Sequence, residues 1–194
     1  LIKSPLDLAV SLCREYQVAF PDAATDYQGA YGMWDFIRFQ CLQSNQEFGD
    51  PPSVSGWPSY YQPPQYYELW INTDTLPKRN QFTDIMVMNG YTRGSSTIKV
   101  DAVAFTQQLP NPGDPNALIS DAMAILYRVP VADTSKAMIK TSILLSGQTS
   151  DYYWTNAWNA YLSNPSDMMA YQTVYTRLRD LYRYLMNLAE YQLA

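Results

Sequence analysis

Four carboxylates flank one unusual stretch of this chain, with Glu47 and Asp50 at its start and Glu68 and Asp74 at and beyond its end. Two carboxyl groups held a few ångströms apart serve glycosidases and related hydrolases as acid and base. A pair drawn from these four is therefore the chain's route to hydrolytic chemistry, although spacing alone does not bring them together. Within the stretch, Trp57, Tyr60, Tyr61, Tyr66, Tyr67 and Trp70 are interleaved with Pro51, Pro52, Pro58, Pro63 and Pro64. Aromatic faces that carry hydroxyl or indole donors suit stacking on sugar rings or docking a partner's chain. The same residues would also pin a proline-rich loop onto the body of a fold.

Other chemistries lack their residues. Histidine is absent, which removes Ser-His and Cys-His pairs, His-bound zinc and copper, and imidazole proton relays. Cys13 and Cys41 are far apart in sequence and no spaced-acid calcium loop occurs, so no metal site is expected. Neither G-x-x-x-x-G-K-[ST] nor G-x-G-x-x-G is present, and no cofactor is expected. No catalytic residue is assigned. Asp26, Asp101, Asp114, Asp133 and Asp167 sit at predicted helix starts, where a carboxylate accepts backbone N–H bonds and meets the positive end of the dipole. The net charge of −5 disfavours nucleic acid as a partner. No stretch approaches the ~18 consecutive apolar residues of a membrane span. The two cysteines read as buried free thiols, with one interhelix bridge as the alternative.

Positioning these groups falls to helices. The 194 residues match one domain, and 47% hydrophobic against 16% charged residues argues against disorder. Ser4-Pro5-Leu6-Asp7 predicts a capped helix to about Phe20. Asp26 caps a second, central helix whose stripe is Tyr27, Ala30, Tyr31, Trp34, Ile37 and Cys41, with Met33, Phe36, Phe39 and Leu42 covering much of the other side. Residues 47–64 form a long ordered loop, because their prolines bar a helix interior or central strand. Helical signals resume around Tyr66 to Trp70 and from Asp74 to Met88, where Gly90 is the stop, and 91–99 is a polar connection. Further helices open at Asp101, at Asp114-Pro115, at Asp133 or Thr134 (running to about Ser146) and at Ser150. The last spans about 167–188, with a core-facing stripe of Tyr171, Val174, Tyr175, Leu178, Leu181, Tyr182, Leu185 and Leu188. The expectation is a single all-α domain over 1–194, an irregular multi-helix bundle with one Pro/aromatic-rich loop.

The string Asp50-Pro51-Pro52-Ser53-Val54-Ser55-Gly56-Trp57-Pro58 resembles the D-P-P-x-V-x-G-W-P signature of a large bacterial family, domain of unknown function 1800. Trp70-Ile71-Asn72-Thr73, with Arg79 six residues after the threonine, is similar to that family's W-[IL]-x-[ST] and following arginine. Leu188-Ala189-Glu190-Tyr191-Gln192 is similar to its closing S-P-E-[FY]-Q. The strings SGQTSDYYWTNAWNAY and YYQPPQYYELWINTDTLPKRNQF look like the Bacteroidetes branch. The resemblance implies the C-terminal portion of a longer, exported helical protein, periplasmic or at the cell surface. It carries over no activity and no catalytic residue. In the motifs, Gly56 permits a positive φ, and Arg79 would reach Asp50 or Asp74 bidentately. The leading expectation is a non-catalytic binding or scaffolding module. It would present Trp57, Tyr60, Tyr61, Tyr66 and Trp70, with Asp50 and Arg79, to a glycan or another envelope protein. The alternatives are a hydrolase built on Glu47, Asp50, Glu68 and Asp74, or structural support for the protein's own N-terminal region.

Overall fold

The computed structural model describes residues 1–54, 56 and 70–194. Among them helices dominate, and paired strands are limited to one short hairpin, so the fold is mostly α as expected. The chain divides into two compact units, residues 1–100 with 192–194, and residues 101–191.

In the first unit, helix α1 (Pro5–Glu15) opens on a capping box. The Ser4 hydroxyl accepts the Asp7 N–H at 3.1 Å, and the Ser4 N–H returns to the Asp7 carboxylate at 3.3 Å. The helix ends at Glu15 and not near Phe20. Gln17 takes a positive φ of 49°, and the N–H groups of Gln17 and Val18 turn back to the carbonyls of Arg14 (3.2 Å) and Cys13 (2.8 Å). That is a Schellman stop built on a residue other than glycine, which a search for Gly and Pro does not find.

Asp26 caps α2 (Tyr27–Gln43) through the Gly29 N–H at 2.9 Å and also accepts the Ser96 hydroxyl at 2.8 Å. Those bonds, Ser96 first, hold its carboxyl below the ordinary value. Helix α3 (Thr75–Met88) buries Arg79, Phe82, Met86 and Val87 and is stopped at Gly90, φ 72°.

The expected polar connection over 91–99 is instead an antiparallel hairpin of β1 (Tyr91–Arg93) and β2 (Ser96–Ile98). Gly94, φ 60°, leads its two-residue turn, and the flanking Tyr, Thr and Ile are strand formers. Tyr91 stacks on Phe36 of α2, with centroids 4.0 Å apart and planes at 6°. That contact supplies the burial a lone hairpin lacks.

The second unit contains α4 (Ala102–Gln107), α5 (Pro115–Leu126), α6 (Asp133–Ile139), α7 (Tyr152–Ser163) and α8 (Met168–Asn187). Asp101, Asp114 and Asp167 cap as expected. Asp133 is the first helical residue rather than a cap, and Asp151 takes the N-cap place expected of Ser150. The helix expected to run to Ser146 widens after Ile139 into a π-helical turn, Lys140–Leu144. Of the α8 stripe, Val174, Leu178, Leu181, Tyr182 and Leu185 are buried as their spacing predicts, whereas Tyr171, Tyr175 and Leu188 are only half-buried, at the flank and the end of the helix. Tyr182 sits edge-on to Phe105 (5.2 Å, 87°) and shares a hydrogen bond with the Thr106 hydroxyl. Among the described residues, no helix is long and apolar enough to cross a membrane.

Candidate functional site

Trp57, Tyr60, Tyr61 and Tyr66, with Tyr67 and Glu68, lie outside the described residues, as does most of the expected loop. The described members of the expected binding set are not presented together. Asp50 is exposed, whereas Trp70 and Arg79 are 2% and 0% exposed. Trp70 packs inside, and its carbonyl accepts the Thr75 hydroxyl at 3.1 Å while that hydroxyl accepts the Asn72 N–H at 3.0 Å. This is a local turn that opens α3. The carboxylates are engaged separately, Asp74 by Lys78 at 2.7 Å and Glu47 by Arg38 at 3.7 Å.

Arg79 does not reach Asp50 or Asp74. Its Nε donates to Gln192 Oε1 at 2.8 Å and its Nη2 to the Lys3 carbonyl at 3.0 Å. Burial pushes this guanidinium down to about 10, and the Cys41 and Asp7 side chains only partly offset that. Its partners are amide and backbone oxygens, so Arg79 acts as a clasp, closed to any ligand.

The described residues that do form a concave, apolar surface lie on α1 and α2. Between these helices is a cavity of about 640 Å³, within the roughly 300–1,000 Å³ of small-molecule sites. Ala9, Val10 and Cys13 of α1 line it together with Ile37 of α2 and with Phe20 and Phe48. Tyr31 and Trp34 stand at its edge. They continue a ladder that begins at Tyr27: Tyr27–Tyr31 centroids are 5.3 Å apart and Tyr31–Trp34 centroids 4.9 Å. These rings are 63%, 56% and 48% exposed.

That exposure corrects the expected central position of α2. The buried face carries Ala30, Met33, Phe36 and Cys41, and the aromatic stripe faces outward. The hairpin determines this orientation. Tyr91 covers Phe36, and a Cβ on Gly32 would stand 2.7 Å from the Arg93 side chain. Glycine at 32 therefore marks the flank on which the hairpin lies. Both flanks of α2 are aromatic, so periodicity alone could not choose between them. The choice was visible only in the small residues Gly29, Ala30 and Gly32 and in the hydroxyls of Tyr27 and Tyr31, which suit a wet surface.

Cys13 and Cys41 are both free. Burial pushes the Cys13 thiol up to about 11 and the Cys41 thiol up to about 12. Both are neutral thiols at pH 7, so the cavity wall contains no activated nucleophile. The arrangement can bind an apolar body against aromatic rings.

Of the motif residues, Arg79 meets the closing motif through its bond to Gln192. Comparison with curated proteins and with solved structures yields no match. A family model does match, and over nearly the whole chain. Residues 1–193 place this protein in the family described as Protein of unknown function (DUF1800).

Proposed function

We propose that this chain is a non-catalytic binding module of an exported bacterial protein, and that the aromatic face of α2 over the α1–α2 cavity is its binding surface. The observation that carries this is the ladder Tyr27–Tyr31–Trp34, three half-exposed rings on one helix face beside an apolar cavity. Contiguous apolar surface of this kind marks ligand or partner sites. Location outside the cytoplasm, at the periplasm or cell surface, is taken from the family resemblance, as is a Bacteroidetes-type origin. Of the two partners first expected, the mostly apolar wall of Ala9, Val10, Phe20, Ile37 and Phe48 favours the apolar side chains of a protein over a glycan. The hydrolase alternative gains no support from Asp74 and Glu47, each held by its own cation.

Titration with the neutral apolar fluorophore N-phenyl-1-naphthylamine tests the surface. The expected result is enhanced fluorescence with the intact chain and at least about tenfold weaker binding in the Tyr31→Ser/Trp34→Ser variant, which corresponds to about 1.4 kcal/mol. No enhancement, or equal binding by both proteins, overturns the proposal.

A further inference from the structure

A row of indole and phenol rings on α7 and α8 runs from the interior to the surface of the second unit. Centroid to centroid, Trp154 lies 5.6 Å from Trp158, Trp158 5.7 Å from Tyr161, and Tyr161 6.1 Å from Tyr171. Tyr171 then stacks on Tyr175 at 5.8 Å with planes at 8°. Exposure rises along the row: Trp154, Trp158 and Tyr161 are 0%, 2% and 7% exposed, and Tyr171 and Tyr175 are half-buried. The indoles stand inside and the phenols lead outward. Trp154 donates its indole N–H to the Pro112 carbonyl at 2.7 Å, and the Tyr161 hydroxyl accepts Gln107 Nε2 at 3.1 Å, which fixes both rings. Burial, and after it the Asp101 carboxylate, raises the Tyr171 phenol above its ordinary value, so it stands protonated.

Aromatic rings in near contact exchange single electrons readily, and the order of this row gives the exchange a direction. An indole that loses an electron in the interior becomes a buried cation, which is costly there. Trp154 cannot relieve that cost by shedding its proton, because the carbonyl it donates to is too weak a base to take it. A phenol near the surface gives up electron and proton together, the proton passing to water. Electrons therefore move inward along the row and the oxidised site moves outward. We propose that Trp154, Trp158, Tyr161, Tyr171 and Tyr175 form a one-electron relay, in which Tyr171 or Tyr175 reduces an oxidised buried indole and so protects the interior from radical oxidants of the carbonate-radical class. The oxidant takes one electron from an indole and leaves as its anion. The indole regains an electron through Tyr161, and Tyr171 or Tyr175 ends as a neutral phenoxyl radical with its proton in water. A small thiol then gives one hydrogen atom, which restores the phenol, and leaves as a thiyl radical. The relay shares no residue with the α1–α2 surface, so each reading can fail without the other.

The test exposes the intact 194-residue chain to azide radicals, which take one electron and leave as azide ion. Peptide mass spectrometry then maps oxygenated tryptophan and the adducts of the spin trap nitroso-tert-butane. In the wild-type chain Trp154 and Trp158 should stay intact, and the trap should be found on Tyr171 or Tyr175. Tyr161→Phe keeps a ring in place, but one that an oxidised indole cannot oxidise, so oxygenated Trp154 and Trp158 should accumulate. Tyr171→Phe/Tyr175→Phe, at the outer end, should also cause the indoles to be oxygenated and should move the trap back to Tyr161. Tyr152→Phe/Tyr153→Phe removes two exposed phenols of α7 that lie outside the row, and should leave the indoles as they are in the wild type. An unchanged urea midpoint shows that a variant has kept its packing, and where Tyr161→Phe shifts the midpoint the outer pair decides. Indoles that stay equally intact in the wild type and in the row variants would show that burial alone spares them. Indoles oxidised equally in all of these proteins would show that no electron reaches them from the tyrosines. Either result overturns the relay, as does indole oxidation in Tyr152→Phe/Tyr153→Phe equal to that in the row variants.

Discussion

Arg79 and Gln192 stand 113 positions apart in sequence, and the guanidinium Nε of one donates to the side-chain oxygen of the other at 2.8 Å. The same guanidinium donates through Nη2 to the Lys3 carbonyl at 3.0 Å, and Lys3 in turn donates its N–H to the Gln192 carbonyl at 2.8 Å. Ile2 and Leu193 form a bridge alongside. One side chain of α3 thereby holds residues 1–3 against residues 192–194. A buried cation is costly unless polar partners surround it, and here oxygen dipoles supply what a carboxylate usually would.

Replacing Arg79 should therefore unfold the protein more readily without touching any binding surface. Arg79→Lys keeps a charge but loses the planar fork that reaches two oxygens at once, and should lose about 2–4 kcal/mol. Gln192→Leu should lose about 1–3 kcal/mol, because it leaves the guanidinium short of a partner. In a double-mutant cycle with Arg79→Met, the two losses should fall short of additivity by about 0.5–3 kcal/mol. Urea denaturation measures this, and strict additivity would show that the two side chains do not depend on each other.

Gly90 and Gly94 both hold positive φ, 72° and 60°, but only Gly90 is crowded. A Cβ at position 90 would stand 2.4 Å from the Ile98 carbonyl oxygen, whereas none would be met within 4 Å at position 94. Gly94→Ala should therefore lose only the left-handed backbone penalty, about 1–2 kcal/mol. Gly90→Ala adds a backbone clash and should be clearly the worse of the two. Thermal denaturation of both variants measures the difference, with equal losses as the contrary result.

Caps and stripes were the legible part of this fold because they are local. Ser4-Pro5-Leu6-Asp7, Asp26, Asp101, Asp114 and Asp167 open helices where the chain announces them, and the centre of the α8 stripe is buried as its spacing says, though Tyr171 and Tyr175 are only half-buried. What depended on distant contacts was less legible. The stop of α1 rests on Gln17 in a glycine-like conformation, and the hairpin over 91–98 is stabilised by Phe36, far away in sequence. The candidate site suffered most. The outward face of α2 is chosen by the hairpin and by α1, and Arg79 has its partners at the two ends of the chain. A carboxylate is the usual partner of an arginine, and nothing in the local sequence of Arg79 argues for Gln192 instead.

The orientation of α2 makes a sharp contrast between neighbouring aromatics. Tyr31 and Trp34 are 56% and 48% exposed, so Tyr31→Ser or Trp34→Ser should shift stability by no more than about 1 kcal/mol. Phe36 is 8% exposed and stacked on Tyr91, so Phe36→Ala should lose about 3–5 kcal/mol. If α2 were turned the other way, the order would reverse. Chemical denaturation of the three variants reads the orientation directly and independently of any ligand.

Alkaline stability should be set first by the thiols. Burial raises Cys13 from 9.0 to about 11 and Cys41 from 9.0 to about 12. Above pH 9 the unfolded chain sheds both thiol protons while the folded chain keeps them, so the unfolded state binds fewer protons and stability must fall as pH rises. This stabilisation is complete below pH 9 and is lost on the way up through about 11 and 12. Buried Tyr127 and Tyr182, whose hydroxyls burial also pushes up, act with the same sign but begin only near their ordinary value of 10.0. The interval from pH 9 to 10 therefore belongs to the cysteines. The urea midpoint of the wild-type chain should decline across it, and that of Cys13→Ala/Cys41→Ala should stay nearly level. A wild-type midpoint that holds steady, or an equal decline in both proteins, would place the two thiols in contact with water.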